Sequence, residues 1–181
     1  RFLNESCLMV VDIGGGSTEI VLGQQEVNAS VSVNVGAVYL TETFLKSDLP
    51  TDEELGALND FLEETWLAQP ILRANVQSPP ALVGIGGTIV NLVSIKLGLN
   101  QFDPEPLHGK ALDRAEIARQ IRRFCSLPLN DRKQIPGLEA KRADVIIAGA
   151  AILQSILKHL GASQIRASTH GLRYGVMYDR F

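Results

Sequence analysis

"VVDIGGGSTEIVLG", Val10 to Gly23, closes an apolar run on an acid, then places three glycines, two hydroxyls and a second acid before another apolar run. Val10 and Val11 read as a buried strand, and Ile20 to Leu22 read as a second one. The stretch is therefore two strands joined by a glycine-rich turn. A plain hairpin is one reading of that turn. A cradle for a phosphate group and its metal ion is the other.

The chain around the turn repeats the same vocabulary. Cys7 to Ile13 is nearly continuous in apolar character, as in a sheet interior, and Ser17 to Leu22 follows as a second strand. Val27, Ala29, Val31, Val33 and Val35 alternate with polar residues, which predicts a third strand with one face inward. Tight turns join the three, so they should form an antiparallel meander. Gly36 opens a helical stretch through Lys46, and Thr51 with Glu54 forms a capping-box pattern before a helix to about Trp66. In that helix Leu55, Leu58, Phe61 and Leu62 share a face. Ala81 to Ile85 reads as a short buried strand that runs through Gly86-Gly87 into a helix from Thr88 to Leu97, closed by Gly98.

Asp103 to Pro106 reads as a loop, and Asp113 with Glu116 as a cap for a helix through Phe124. Ala140 to Leu160 reads as one long helix ended by Gly161, Gln164 to Ala167 as the last strand, and His170 to Tyr178 as the last helix. The fold class is α/β, with element order βββαβαβα, extra helices and a mixed five-stranded sheet. That order describes the ribonuclease-H-like unit from which each half of the actin, sugar-kinase and heat-shock-ATPase folds is built. Fold analogy alone says little about function, so the site must carry that argument.

The bulk properties set limits. At 181 residues, 45% hydrophobic and 6% aromatic, the chain suits one domain with a full core, residues 1–181, or half of something larger. It opens on Arg1 rather than Met, which reads as a fragment or a processed product. No apolar run approaches the roughly 20 residues of a membrane span, and no signal-peptide pattern opens the chain. Cys7 and Cys125 lack metal-ligand spacing and read as thiols of a reducing compartment, which favours the cytoplasm. The net charge of -3 hides an asymmetry. Residues 1–100 carry 4 Lys/Arg against 12 Asp/Glu, whereas residues 101–181 carry 13 against 8. Bases crowd Lys110 to Arg142, either as solvated helix faces or as a wall that attracts a polyanion. Overall acidity and few aromatics argue against a dedicated nucleic-acid binder.

The chemistry of the turn follows from its residue types. Gripping phosphate requires backbone N–H groups aimed into a concavity with no Cβ atoms in the way, and Gly14, Gly15 and Gly16 permit that. Ser17 and Thr18 can add hydroxyl donors. Asp12, at the carboxyl end of its strand, could hold Mg²⁺ directly or through water. Glu19, just beyond the turn, could contact the metal or orient an attacking water. A P-loop is excluded, because no Lys-Ser/Thr pair opens a helix here.

Val83-Gly84-Ile85-Gly86-Gly87-Thr88 is a second glycine loop, this time followed by a helix whose N-terminus can face an anion. The full dinucleotide-binding spacing is missing, since Val90 and Asn91 stand where a further glycine would fall. Taken alone it is as much a packing turn as a site, but both loops would open at the same sheet edge. His108, His159 and His170 show no ligand spacing and read as structural or surface residues. Lys141 and Arg142 start the long helix, where they either reach an anion or lie solvated.

In order along the chain, "DIGGGSTE", "VGAVYLTETF", "GIGGTIVNL", "IPGLEAKRADVIIAGAAIL" and "STHGLRYGVMYD" resemble the blocks of the exopolyphosphatase and guanosine pentaphosphate phosphohydrolase family, Ppx/GppA. The resemblance implies two actin-like domains with a cleft between them, this chain matching the second. It implies Mg²⁺-dependent release of terminal phosphate from inorganic polyphosphate, from pppGpp, or from both. Asp12 and Glu19 would be the metal-linked catalytic acids. Gly14, Gly15, Gly16, Ser17 and Thr18 would bind phosphate, Gly86, Gly87 and Thr88 would line the same cleft, and Arg142 would help hold the polyanion. The missing first domain is an implied partner, and the complete protein is expected to form homodimers.

Two departures accompany the resemblance. The family's general base is a glutamate in a segment preceding the first block, which this chain does not contain, nor does it contain the first domain's phosphate-binding acid. Tyr39 stands where many members carry arginine. The isolated chain is accordingly expected to bind phosphate weakly and turn over little. The rival readings are half of an actin-like ATP-binding kinase or ATPase, and a non-catalytic actin-like assembly or nucleotide-sensing module.

Overall fold

A computed structural model describes residues 7–23, 26–73, 80–100, 103 and 105–170. β1 (Leu8–Ile13), β2 (Thr18–Gly23) and β3 (Val27–Val33) form the antiparallel meander that the alternation predicts. β4 (Ala81–Ile85) runs parallel to β1, and β6 (Gln164–Ala167) runs parallel to β4. Among the described residues the sheet holds six strands, in the order β3-β2-β1-β4-β6-β5. The sixth is β5 (Ala111–Asp113), antiparallel to β6, and it corrects the expected count of five. Three residues at a sheet edge show no periodicity, and Asp113 carries a separate cap signal that masks the strand.

Strand register is fixed by burial. Met9, Val11 and Ile13 of β1 are buried, while Leu8, Val10 and Asp12 between them are half-buried. In β2 the buried positions are Thr18, Ile20 and Leu22. The third strand keeps its expected inward face from Ala29 on, with Ala29 and Val31 half-buried against the core and Val33 buried; Val27, 66% exposed, departs from it. β3 is an edge strand, and its register against β2 shifts at Leu22/Gly23, which leaves its first residue, Val27, uncovered.

The helices are α1 (Ala37–Phe44), α2 (Asp52–Leu67), α3 (Gly87–Leu97), α4 (Arg114–Cys125), α5 (Leu129–Arg132) and α6 (Ile146–His159). Both predicted N-caps form: the capping box of Thr51 and Glu54 on α2, and Asp113 accepting from the Glu116 N–H on α4. Gly98 and Gly161 close α3 and α6 in the left-handed region, each followed by a reverse hydrogen bond, Leu99 N–H to Ser94 and Ala162 N–H to Leu157. α6 is the hub. Ten of its residues from Ile146 to Leu157 are buried, and α1, α2, α3 and α4 all contact it.

The expected helix from Ala140 to Leu160 is two elements, a 3-10 turn at Ala140–Arg142 and then α6. The break detaches Lys141 and Arg142 from the long helix. The final helix expected from His170 to Tyr178 lies outside the described residues beyond His170 itself. Cys7 and Cys125 are free and half-buried, and burial pushes the Cys125 thiol above its ordinary range. Among the described residues no helix is long and apolar enough to cross a membrane.

Leu153 sits on α6 with no exposed surface. Leu153→Ala should lower unfolding free energy by about 2–5 kcal/mol. Urea unfolding checks this, and a loss below about 1 kcal/mol would contradict the central place given to α6.

Candidate phosphate-binding site

The glycine turn sits at the carboxyl end of β1, beside the carboxyl end of β4. Strand register brings its two acids together: Asp12 pairs directly across from Glu19 in the antiparallel ladder, so both side chains lie on one face. In the parallel ladder Asp12 lies beside Ile85, one residue before the second glycine loop. Asp12 is half-buried, and its carboxyl is held above its ordinary range, first by desolvation and then by the neighbouring Glu19 charge.

The turn is fastened from outside. Gly14 N–H donates to the Ser17 carbonyl at 2.9 Å. The first amides of α1 then donate back onto the turn, Ala37 to the Gly14 carbonyl at 2.9 Å, Val38 and Tyr39 to the Gly15 carbonyl at 2.9 and 3.1 Å. The N-terminus of α1 is therefore spent on holding the loop. No N–H of Gly15 or Gly16 finds an acceptor among the described residues, and both glycines are exposed. These amides are available to an anion.

Glycine is needed here for close approach rather than for positive φ, since none of Gly14, Gly15 and Gly16 lies in the left-handed region. A methyl group on Gly14 would come within 3.0 Å of the Ser17 carbonyl, and one on Gly15 within 3.2 Å of the Val38 side chain. A methyl on Gly16 would meet nothing within 4 Å. The tightest position in the loop is one that sequence reasoning passed over: a methyl on Gly36 would run into the Gly15 carbonyl.

The two hydroxyls behave differently from the expectation. Thr18 is fully buried and donates to the Val35 carbonyl at 2.6 Å, so its hydroxyl is unavailable to a ligand. Alternation along β2 turns position 18 to the core whenever Glu19 faces the site. Ser17 donates to Glu19 Oε1 at 2.6 Å, and its single proton can serve phosphate only by leaving that bond.

The second loop meets the first at Asp12. Gly86 has φ +85, and a methyl on it would lie 2.5 Å from Asp12 Oδ1. It also caps α3, with no side-chain hydrogen bond to the helix N-terminus. A methyl on Gly87 would run into the Arg142 guanidinium, which thus lies over the first turn of α3. Arg142 is steadied by Glu139, whose Oε1 accepts from Arg142 Nε at 3.3 Å and from Asn91 Nδ2 at 3.0 Å. Asn91 also accepts from the Glu139 N–H at 2.7 Å. Neither Glu139 nor Asn91 stood out in the sequence; the three-residue spacing of Glu139 and Arg142 was the available signal. Thr88 is 4% exposed and packs against Gly149, so it supports the loop rather than lining an opening.

Part of the basic run is consumed locally. Arg119 pairs with Glu116, Arg132 is buried against Asp48, and Lys141 pairs with Glu139. Tyr39 is exposed on the first turn of α1. The His108 and His170 rings approach to 4.6 Å, and His159 ends α6. A cavity of about 470 Å³ lies at the opposite strand ends, lined by Ala81, Gly161 and Gln164, and shares no residue with the glycine loops.

Among the described residues no group of three or more acids, histidines or cysteines is placed to hold a metal. Two carboxylates nonetheless fit Mg²⁺, which keeps several waters and commonly binds through one or two carboxylates plus substrate phosphates. Their crowding, with one carboxyl pushed upward, is what a cation between them would relieve.

Residues 1–181 match the model of the Ppx/GppA phosphatase family. Exopolyphosphatase 2 of Mycobacterium tuberculosis is 32% identical over 173 residues, covering 93% of this chain and 54% of that protein. A guanosine-5'-triphosphate,3'-diphosphate pyrophosphatase of Photobacterium profundum is 27% identical, over 94% of this chain and 33% of its own length. The crystal structure of the Aquifex aeolicus Ppx/GppA family member superposes with a TM-score of 0.86 at 36% identity, over 96% of this chain and 56% of that one. The chain thus spans about half the length of the Mycobacterium and Aquifex proteins.

Gly36→Ala should cost at least about 2 kcal/mol through the collision with Gly15, whereas Gly16→Ala should stay within about 0.5 kcal/mol. Urea unfolding of the two variants checks the contrast, and equal losses would contradict this turn geometry. The raised Asp12 carboxyl predicts a pH effect. The folded state holds that proton more tightly than the unfolded chain, so stability falls as pH rises from the ordinary carboxylate range through the raised folded value. Asp12→Asn should therefore melt higher than the parent near pH 7 without divalent ions, with the gap closing below the ordinary carboxylate range. A variant that melts lower at pH 7 would contradict it.

Proposed function

The chain belongs to the Ppx/GppA phosphatase family, and from that premise we propose that it forms the phosphate-binding wall of a Mg²⁺-dependent phosphohydrolase. Its substrates are inorganic polyphosphate, pppGpp, or both, cleaved at the terminal phosphate. The observation that carries the reading is the placement of Asp12 across from Glu19, with the open amides of Gly15 and Gly16 on one side and Gly86, Gly87 and Arg142 on the other.

Each group has a role set by its position. Asp12 and Glu19 hold the cation, which when bound would neutralise charge on the phosphoryl oxygens. Gly15 and Gly16 donate backbone hydrogen bonds to phosphate, joined by Ser17 once its hydroxyl turns from Glu19. The N-terminus of α3 and Arg142 offer a second anion site, where the next phosphate of a chain would lie. Glu139 and Asn91 keep the guanidinium over Gly87.

These groups form one side of the reaction. In-line transfer also needs an oriented water and stabilisation from the facing side, which the other actin-like domain supplies in this reading. The chain alone then binds polyphosphate and releases phosphate slowly or not at all. The names of the exopolyphosphatase and pyrophosphatase relatives support the substrate class.

Phosphate release from polyphosphate and from pppGpp tests the reading when the chain is joined to a first domain. Asp12→Ala and Glu19→Gln should each lower kcat/KM at least about 100-fold, and chelation of Mg²⁺ should abolish turnover. Activity unchanged by both substitutions would remove these acids from the chemistry.

A further inference from the structure

We infer that Ser32 is a positioning residue that locks the Glu19 carboxylate and so frees Ser17 to exchange partners; the inference rests on the reading of Asp12 and Glu19 as the cation-holding pair. Ser32 lies directly across from Glu19 in the β2–β3 ladder, on the same face. Its hydroxyl donates to Glu19 Oε1 at 2.7 Å. Ser17 donates to the same oxygen at 2.6 Å. Two donors therefore converge on Oε1, while Oε2 accepts no hydrogen bond among the described residues.

This arrangement has two consequences. Donors on one oxygen fix the rotation of the carboxylate and leave the other oxygen, Oε2, to face a cation beside Asp12. The two donors also differ in what else they can reach. Ser17 belongs to the glycine turn, where an arriving phosphate would compete for its only proton. Ser32 belongs to β3 and is anchored by strand pairing, so it keeps its bond when Ser17 turns away. One donor can then move to phosphate without releasing the carboxylate.

An ordinary exposed strand serine would do none of this, and its loss would pass unnoticed. Ser30, on the same strand but across from Val21, serves as that control.

The test is Mn²⁺ binding to the full chain at one fixed pH, read by electron paramagnetic resonance of the free ion, with a thermal melt of every variant. Ser32→Ala should weaken Mn²⁺ binding about fivefold or more, Ser32→Thr should restore it to within about twofold, and Ser30→Ala should change nothing. With inorganic phosphate present, which complexes Mn²⁺ only weakly, the Ser32→Ala deficit should grow, because Ser17 is then engaged elsewhere. Asp12→Ala places the Mn²⁺ signal at this site. If it removes Mn²⁺ binding while Ser32→Ala leaves binding unchanged, or if Ser32→Thr fails to restore it, the positioning role falls and the functional reading stands. No Mn²⁺ binding by the parent chain, or binding indifferent to Asp12→Ala, would overturn both.

Discussion

β1 is held on both sides, antiparallel to β2 and parallel to β4, and that double pairing decides where every chemical group falls. The antiparallel side sets Asp12 against Glu19, and the parallel side sets it against the approach to Gly86. A one-residue slip of β1 would turn Asp12 into the core and bring Ile13 outward, and a slip of β2 would do the same to Glu19 and Thr18. Burial of Met9, Val11, Ile13, Ile20 and Leu22 forbids the slip, and α6 beneath the sheet enforces it. The hydrophobic core thus fixes a polar site in which no member of the pair is itself in the core.

The two helix N-termini near this point have opposite uses. α1 turns its first amides onto the carbonyls of Gly14 and Gly15 and acts as a clamp on the turn. α3 begins at Gly86 with no side-chain cap and with a guanidinium above it. One helix makes the loop rigid, and the other is left to meet charge. The site is preorganised by backbone bonds, so ligand binding need not order the turn first.

Much of this was legible in the sequence because it repeats short-range rules. The meander, the capping box at Thr51, the closing glycines at Gly98 and Gly161, and the meeting of two glycine loops at one sheet edge all follow from spacing. What escaped depends on partners distant in sequence. Ser32 gains meaning only once the register sets it opposite Glu19, and Gly36 only once α1 folds back on Gly15. β5 was too short to show a period, and the break after Arg142 was hidden because Ala143 and Ile146 continue an apolar pattern into α6. Thr18 suggests a phosphate donor by residue type and by its place in the first block, but strand alternation turns its side chain inward.

The most direct measurement is a crystal structure of the chain grown with Mn²⁺ and tripolyphosphate, with the ion located by its anomalous signal. The account predicts one ion bound to Asp12 and Glu19, at about 2.2 Å or through a single water, with phosphate oxygens on the amides of Gly15 and Gly16. An ion on the acidic start of α2, or triphosphate lying along α4 with the glycine turn empty, would contradict it.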